Sequence, residues 1–219
     1  MARGTSQLAK EIPLKLVVMG KRGVGKTALI KKLVEGEFIE VYNPTTEDRY
    51  SARRTLGVQA YAVEITDTGS EDTYGDGTIR DSEGFLLVYD VCDRSSLEEI
   101  RALYEEIRKA KVPVMEGSLT STLPSSESPS VVVVGNKINR LDKHRITTGE
   151  GIEVSKDLNC GFGETTAKGS VEHVFYDVIR RCELSSSCND IGDPSGTREE
   201  EGMNDWLCGF GGLFSKSAG

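Results

Sequence analysis

The chain has 219 residues, enough for one domain of ordinary size and too few for two full ones. Its 37% hydrophobic and 28% charged content excludes a disordered chain, and no apolar run approaches the roughly 18–20 residues that cross a bilayer. A net charge of -8 disfavours nonspecific binding to nucleic acid or anionic lipid, so no nucleic-acid partner is expected.

Residues 1–11 are polar, lack the apolar stretch of a signal peptide, and carry Ala2 where myristoylation needs Gly. The five cysteines, Cys92, Cys160, Cys182, Cys188 and Cys208, have no metal-ligand spacing. An odd number without an export signal leads us to expect reduced thiols in the cytoplasm.

Three short apolar runs, 14–19, 85–89 and 131–134, each end at Gly or Asp or just before one. Continuous β-rich runs of this length suit strands buried on both faces of a parallel sheet. Ala28, Leu29, Leu33 and Val34 give an amphipathic helix after the first run. Leu97, Ile100, Leu103, Tyr104 and Ile107 give another after the second. Ser95-Ser96-Leu97-Glu98 and Thr147-Thr148-Gly149-Glu150 read as capping boxes that open helices. Val171, Val174, Phe175, Val178 and Ile179 line one face of a last helix. Residues 49–56 and 58–66, joined at Gly57, read as an antiparallel hairpin at the sheet edge. Alternating strands and helices predict an α/β fold, a mostly parallel sheet with one antiparallel strand. The Ser/Thr/Pro-rich stretch 116–130 is expected to be a surface loop, and 183–219 a disordered tail holding an apolar island at 206–214.

Directly after the first run stands Gly20-Lys21-Arg22-Gly23-Val24-Gly25-Lys26-Thr27, a full match to G-x-x-x-x-G-K-[ST]. Its glycines let successive backbone N–H groups face an anion, and the following helix adds its positive dipole end at Ala28. Lys26 is the residue type that counters β- and γ-phosphate charge, and Thr27 the hydroxyl that takes Mg²⁺. The motif alone chooses neither base nor reaction, but a P-loop kinase would need a lid and second-substrate site that are not recognisable here.

The segments that follow resemble, in order, the motifs of Ras-type small GTPases. Phe38-Ile39-Glu40-Val41-Tyr42-Asn43-Pro44-Thr45-Thr46-Glu47-Asp48-Arg49-Tyr50 looks like switch I and the effector segment. Asp67-Thr68-Gly69 resembles D-x-x-G, Asn136-Lys137-Ile138-Asn139 resembles N-K-x-D, and Glu164-Thr165-Thr166-Ala167-Lys168 resembles E-T-S-A-K. The resemblance runs from about residue 14 to 181. It implies a three-layer P-loop NTPase fold (a G-domain) over 12–182 after an N-terminal extension, with a six-stranded sheet and about five helices. It implies GTP or GDP with Mg²⁺ as ligands, and slow GTP hydrolysis.

By the same resemblance, Thr27, Thr45 and Asp67 place Mg²⁺. Lys26, Thr45 and Gly69 serve the transferred phosphate. The backbone and side chains of Gly20, Arg22, Gly23, Val24, Gly25, Ala28, Tyr42 and Pro44 surround the phosphates. Phe38, Asn136, Lys137, Asn139, Thr166, Ala167 and Lys168 hold the base. Partners implied are effector proteins through 42–50, an exchange factor and a GTPase-activating protein, for a chain expected to be monomeric.

Four departures carry consequences. The family's D-T-A-G-Q-E is here Asp67-Thr68-Gly69-Ser70-Glu71-Asp72, and the segment before Phe85 is a few residues short. Either one residue is missing and Gly69 senses the γ-phosphate, or Ser70 stands there. The first is preferred, because a side chain would crowd the phosphate. In neither alignment does a Gln orient the attacking water, so very slow hydrolysis is expected. Arg22 stands where typical members of the family have Gly; a long side chain there either obstructs an arginine finger or points into solvent. Asn139 replaces an Asp that accepts two hydrogen bonds from guanine, which turns one contact into donor against donor. Lys216 stands where a prenylated Cys is expected. The expectation is therefore a cytoplasmic protein; peripheral attachment to the plasma membrane would need an acylated Cys182, Cys188 or Cys208, or the 206–214 island. The alternative to a slow switch is a hydrolysis-deficient interaction module, or one with altered base preference.

Overall fold

The computed structural model describes residues 11–34, 48–68, 76–111, 128–166 and 168–189. Six strands form one sheet: β1 (Ile12–Met19), β2 (Asp48–Leu56), β3 (Gln59–Asp67), β4 (Gly84–Asp90), β5 (Ser130–Asn136) and β6 (Gly161–Glu164). Their spatial order is β2-β3-β1-β4-β5-β6. Every pairing is parallel except β2 with β3, whose hairpin matches Asp48 with Asp67 and Leu56 with Gln59 across the turn at Gly57 and Val58. The mostly parallel six-stranded sheet and the antiparallel edge strand are as the sequence leads one to expect.

Among the described residues five α-helices cover the sheet: α1 (Lys26–Val34), α2 (Asp76–Asp81), α3 (Arg94–Lys111), α4 (Thr148–Asp157) and α5 (Glu172–Asn189). Alternation along the buried strands assigns side chains to two cores. Leu14, Leu16 and Val18 of β1, Leu86 and Val88 of β4, and Val132 and Val134 of β5 pack with α1 and α5. Val17, Met19, Phe85, Leu87, Tyr89, Val131 and Val133 pack with Ile79 of α2 and the apolar stripe of α3. Both faces of β4 and β5 are therefore covered, which is why those strands read as continuous apolar runs. The strand order reverses at β1, since β3 lies to one side and β4 to the other. That reversal opens a crevice at the carboxyl end of β1, where ligands bind in open α/β sheets.

Two helix boundaries differ from the sequence expectation. α3 begins at Arg94, so Ser95 is not its cap. Asp93 takes that place: its carboxylate accepts from Ser95 N at 3.2 Å and its carbonyl from Ser96 N at 3.1 Å. α5 runs to Asn189, past the boundary set at 182. Ser185, Ser186 and Ser187 each donate their hydroxyl to the carbonyl four residues back, so a serine run that looks like a tail is accommodated in the helix. Tyr61 of β3 donates to Glu183, and Ser185 meets Ser130 at 3.1 Å, tying this last part of α5 to the sheet. Burial, then the Glu183 bond, pushes the Tyr61 phenol up to about 12. Ser130, placed in a surface loop from its composition, is instead the buried first residue of β5. Cys182 is 5% exposed in the α5 core, and burial pushes its thiol up to about 11, so it is not an accessible thiol for acylation.

The second capping box is present as read. Thr147 Oγ1 accepts from Glu150 N, and Glu150 accepts from Thr147 N at 2.8 Å and from Arg94 at 2.5 Å. These bonds, the Thr147 backbone first, hold the Glu150 carboxyl down to about 2 from an ordinary 4.5. A depressed folded value contributes stability that is full above about 4.5 and is lost as pH falls toward about 2. The gap in denaturant midpoint between the protein and Glu150→Gln should therefore narrow steadily as pH is lowered from about 5 to about 3. Thr147→Ala should lower unfolding free energy by about 1 kcal/mol at neutral pH, read from urea titration.

Candidate functional site

The P-loop leaves β1 at Met19 and enters α1 at Lys26. Two of its glycines are required by geometry. At Gly20 (φ 144°) an added Cβ would lie 2.1 Å from the Val88 carbonyl oxygen. At Gly25 (φ 102°) it would lie 2.5 Å from the Asn136 side-chain nitrogen. The loop thus passes so close to β4 and to the end of β5 that only a residue without a side chain fits. Lys26 is nearly buried, and its ammonium crosses back over the loop to the carbonyls of Gly20 at 2.6 Å and Lys21 at 3.4 Å. Val24 is buried, while Arg22, Gly23, Thr27 and Ala28 are exposed along the rim.

Asp67, at the carboxyl end of β3, is 2% exposed, and its carboxylate accepts from the Thr27 hydroxyl in direct contact. Thr68 fastens this strand end to β1 through Val18 O, accepting distance 2.7 Å from the hydroxyl. Thr27 and Asp67 are hard oxygen donors side by side, the kind Mg²⁺ takes. Among the described residues no group of three or more His, Cys, Asp or Glu side chains is assembled for a metal. Mg²⁺ at a phosphate site does not need one, because waters and phosphate oxygens complete its shell. The pair therefore fits the ion that the motif implies.

The residues read as base-holding serve a second purpose. Asn136, 1% exposed, donates its amide to Val24 O at 2.8 Å and accepts from Lys137 N at 2.8 Å. Lys137 takes a left-handed φ of 69° and donates its ammonium to Gly23 O at 2.6 Å. Both side chains brace the P-loop from the end of β5. Asn139 and Thr166 come together from different segments, the Thr166 hydroxyl donating to Asn139 Oδ1 at 2.8 Å. Thr166 also accepts from Lys168 N at 3.3 Å, and Thr165 N–H bonds Gly135 O at 2.8 Å, which docks this loop on β5. Phe38, Tyr42, Pro44, Thr45, Gly69 and Ala167 lie outside the described residues, as do Ser70, Glu71 and most of 42–50.

Two acidic residues escaped the sequence reading. Asp90 pairs with Lys137 at 2.7 Å, and Asp93 with Lys21 at 3.1 Å. Both follow the second apolar run, but nothing in their spacing announces a lysine more than forty residues away. The Lys21–Asp93 pair is exposed and contributes little. Beside Asp90, burial and then its carboxylate push the Cys92 thiol up, so Cys92 stays protonated. A shallow cavity of about 340 Å³ between Cys92 and the turn at 142–145 contains none of the nucleotide motifs. His144 and His173 are exposed, and each faces a backbone carbonyl, Ile138 O and Glu164 O.

Asn136→Ala removes the donor to Val24 O in a site that water does not reach. It should weaken nucleotide binding by about 1–3 kcal/mol in fluorescent-analogue titration, while the far-ultraviolet circular dichroism of the fold is retained.

Comparison with known proteins agrees with this arrangement. The Ras family matches over residues 15–184. The chain is 38% identical to protein ras-2 of Neurospora crassa over 184 residues, 78% of this chain and 80% of that one. It is 39% identical to Ras-like protein 1 of Pyricularia oryzae, over 76% of this chain and 73% of that one. It is also 34% identical to the Ras-related and estrogen-regulated growth inhibitor of Homo sapiens, covering 79% and 83%. With a P-loop at the sheet reversal, the base-motif residues gripping it and a match over nearly all described residues, the chain belongs to the Ras family of small GTPases, which bind guanine nucleotide.

Proposed function

We propose that this protein is a signalling switch that binds GDP or GTP together with Mg²⁺ and hydrolyses GTP very slowly. The observation that carries the reading is the P-loop held at the carboxyl end of β1, with Lys26 inside it and the Thr27–Asp67 oxygen pair at its rim. The ammonium of Lys26 supplies positive charge where the loop's N–H groups and the start of α1 already favour an anion. Thr27 and Asp67 would hold Mg²⁺, with Thr45 as a further hydroxyl by resemblance. When bound, the ion neutralises phosphate charge and holds the phosphate oxygens in place. Asn136 and Lys137 keep the loop's carbonyls turned away from the anion by giving them donors of their own.

Slow turnover rests on residues 67–72, Asp67-Thr68-Gly69-Ser70-Glu71-Asp72, which offer no Gln to orient water. Arg22, exposed at the rim, adds bulk where an activating partner would reach in. Effector proteins would engage 42–50, with an exchange factor and a GTPase-activating protein as regulators, in the cytoplasm. Single-turnover hydrolysis tests the enzymatic half. A rate measurably above that of free GTP supports it, and a rate equal to free GTP leaves a binding module without turnover.

The base half depends on Asn139, whose oxygen is engaged by Thr166. Competition among GDP, GTP, XTP and ATP against a fluorescent analogue reads it directly. Restoring the charge with Asn139→Asp should tighten GDP by about 2–4 kcal/mol, roughly 30- to 1,000-fold. No gain in the variant, with GDP already nanomolar in the parent, would mean other contacts carry the specificity.

A further inference from the structure

Asp90, the last residue of β4, belongs to none of the nucleotide motifs, yet it is 8% exposed with both carboxylate oxygens engaged. One oxygen takes the Lys137 ammonium at 2.7 Å, and the other accepts from Cys92 N at 2.9 Å. In the sheet it lies directly opposite Asn136, so β4 presents it at the level where β5 turns into the base motif. Lys137 in turn donates to Gly23 O at 2.6 Å. A continuous path of donors and acceptors therefore runs from β4 through a lysine of β5's end into the P-loop.

The lysine needs such a partner. Its four-carbon stem is flexible, and its ammonium would otherwise be free to leave the Gly23 carbonyl for water. Here the pair is largely shielded, with side chains 22% and 11% exposed, so salt and solvent weaken it little. We propose that Asp90 is a positioning residue for nucleotide retention, holding Lys137 across the P-loop so that the loop and the base-contacting lysine stay in place together. The proposal rests on the guanine-nucleotide reading above. Asp90 touches no nucleotide on this reading and acts only through Lys137.

Asp90→Asn isolates the charge, because an amide oxygen still accepts from Cys92 N and the turn into α3 is kept. The experiment is the dissociation rate of a fluorescent GDP analogue in the parent, D90N, K137A and D90N/K137A chains. Asp157→Asn, which breaks the exposed Arg101–Asp157 pair, serves as control. The expected result is dissociation faster by about tenfold in D90N, no further acceleration when D90N is added to K137A, and no change in D157N. Equal dissociation from the parent and D90N overturns the proposal. So does an acceleration of the same size in the K137A background, which would mean that Asp90 acts on the fold and not through the lysine. A D90N chain that fails to fold marks Asp90 as structural and overturns it as well. If the parent itself holds no guanine nucleotide, the underlying reading falls, an outcome distinct from the others.

Discussion

The structure depends on one constraint: the loop between β1 and α1 runs close against β4 and β5, so its carbonyls must find donors other than those of a strand or helix. A loop of this kind has no ladder to satisfy it. Two donors come from residues far away in sequence, the Asn136 amide for Val24 and the Lys137 ammonium for Gly23, while the Lys26 ammonium for Gly20 comes from the start of the adjoining helix. The two distant donors are drawn from the end of β5, which the parallel sheet brings to the same edge as the end of β1. The glycines follow from the same requirement, because bringing Val88 O and Asn136 that close leaves no space for a Cβ.

The sheet makes this convergence inexpensive in structural terms. β1, β4 and β5 are parallel neighbours, so their carboxyl ends emerge together and each contributes a different part: the loop, the Asp90 carboxylate, and the Asn136–Lys137 pair. β3 adds Asp67 beside Thr27 on the other side of β1. The strands themselves are held by apolar packing on both faces, which leaves their polar ends free to specialise. Coupling between site and scaffold is therefore short. Lys137 bonds the P-loop at Gly23 and β4 at Asp90, so the two are linked directly and not through the core.

The helices carry a second lesson about polar runs. Serines disfavour helix interiors when considered one at a time, but three consecutive serines in α5 return their hydroxyls to the preceding turn. Contacts from Tyr61 and Ser130 then anchor the segment to the sheet. Tertiary contact ties residues 183 and 185 to the sheet within the helix, whereas composition placed the helix boundary at 182. Asp93 in place of Ser95 at the start of α3 has a similar origin. Both residues are good caps, and only the path of the chain leaving β4 selects between them.

From residue order alone came the fold class, the buried strands, the edge hairpin, the capping box at Thr147 and the phosphate loop. These are properties of local pattern: period, turn chemistry and a glycine motif whose mechanism requires its flanking strand and helix. The family also was legible, because its motifs occur in order along one line. What only the tertiary structure decided is who supports whom. Asn136 and Lys137 could be read as contacts for a base, but their engagement with the P-loop carbonyls appears only when β1 and β5 are placed two strands apart. Asp90 was illegible for the same reason. Its partner is 47 positions away, and an ion pair at that separation leaves no periodic or local trace in the chain.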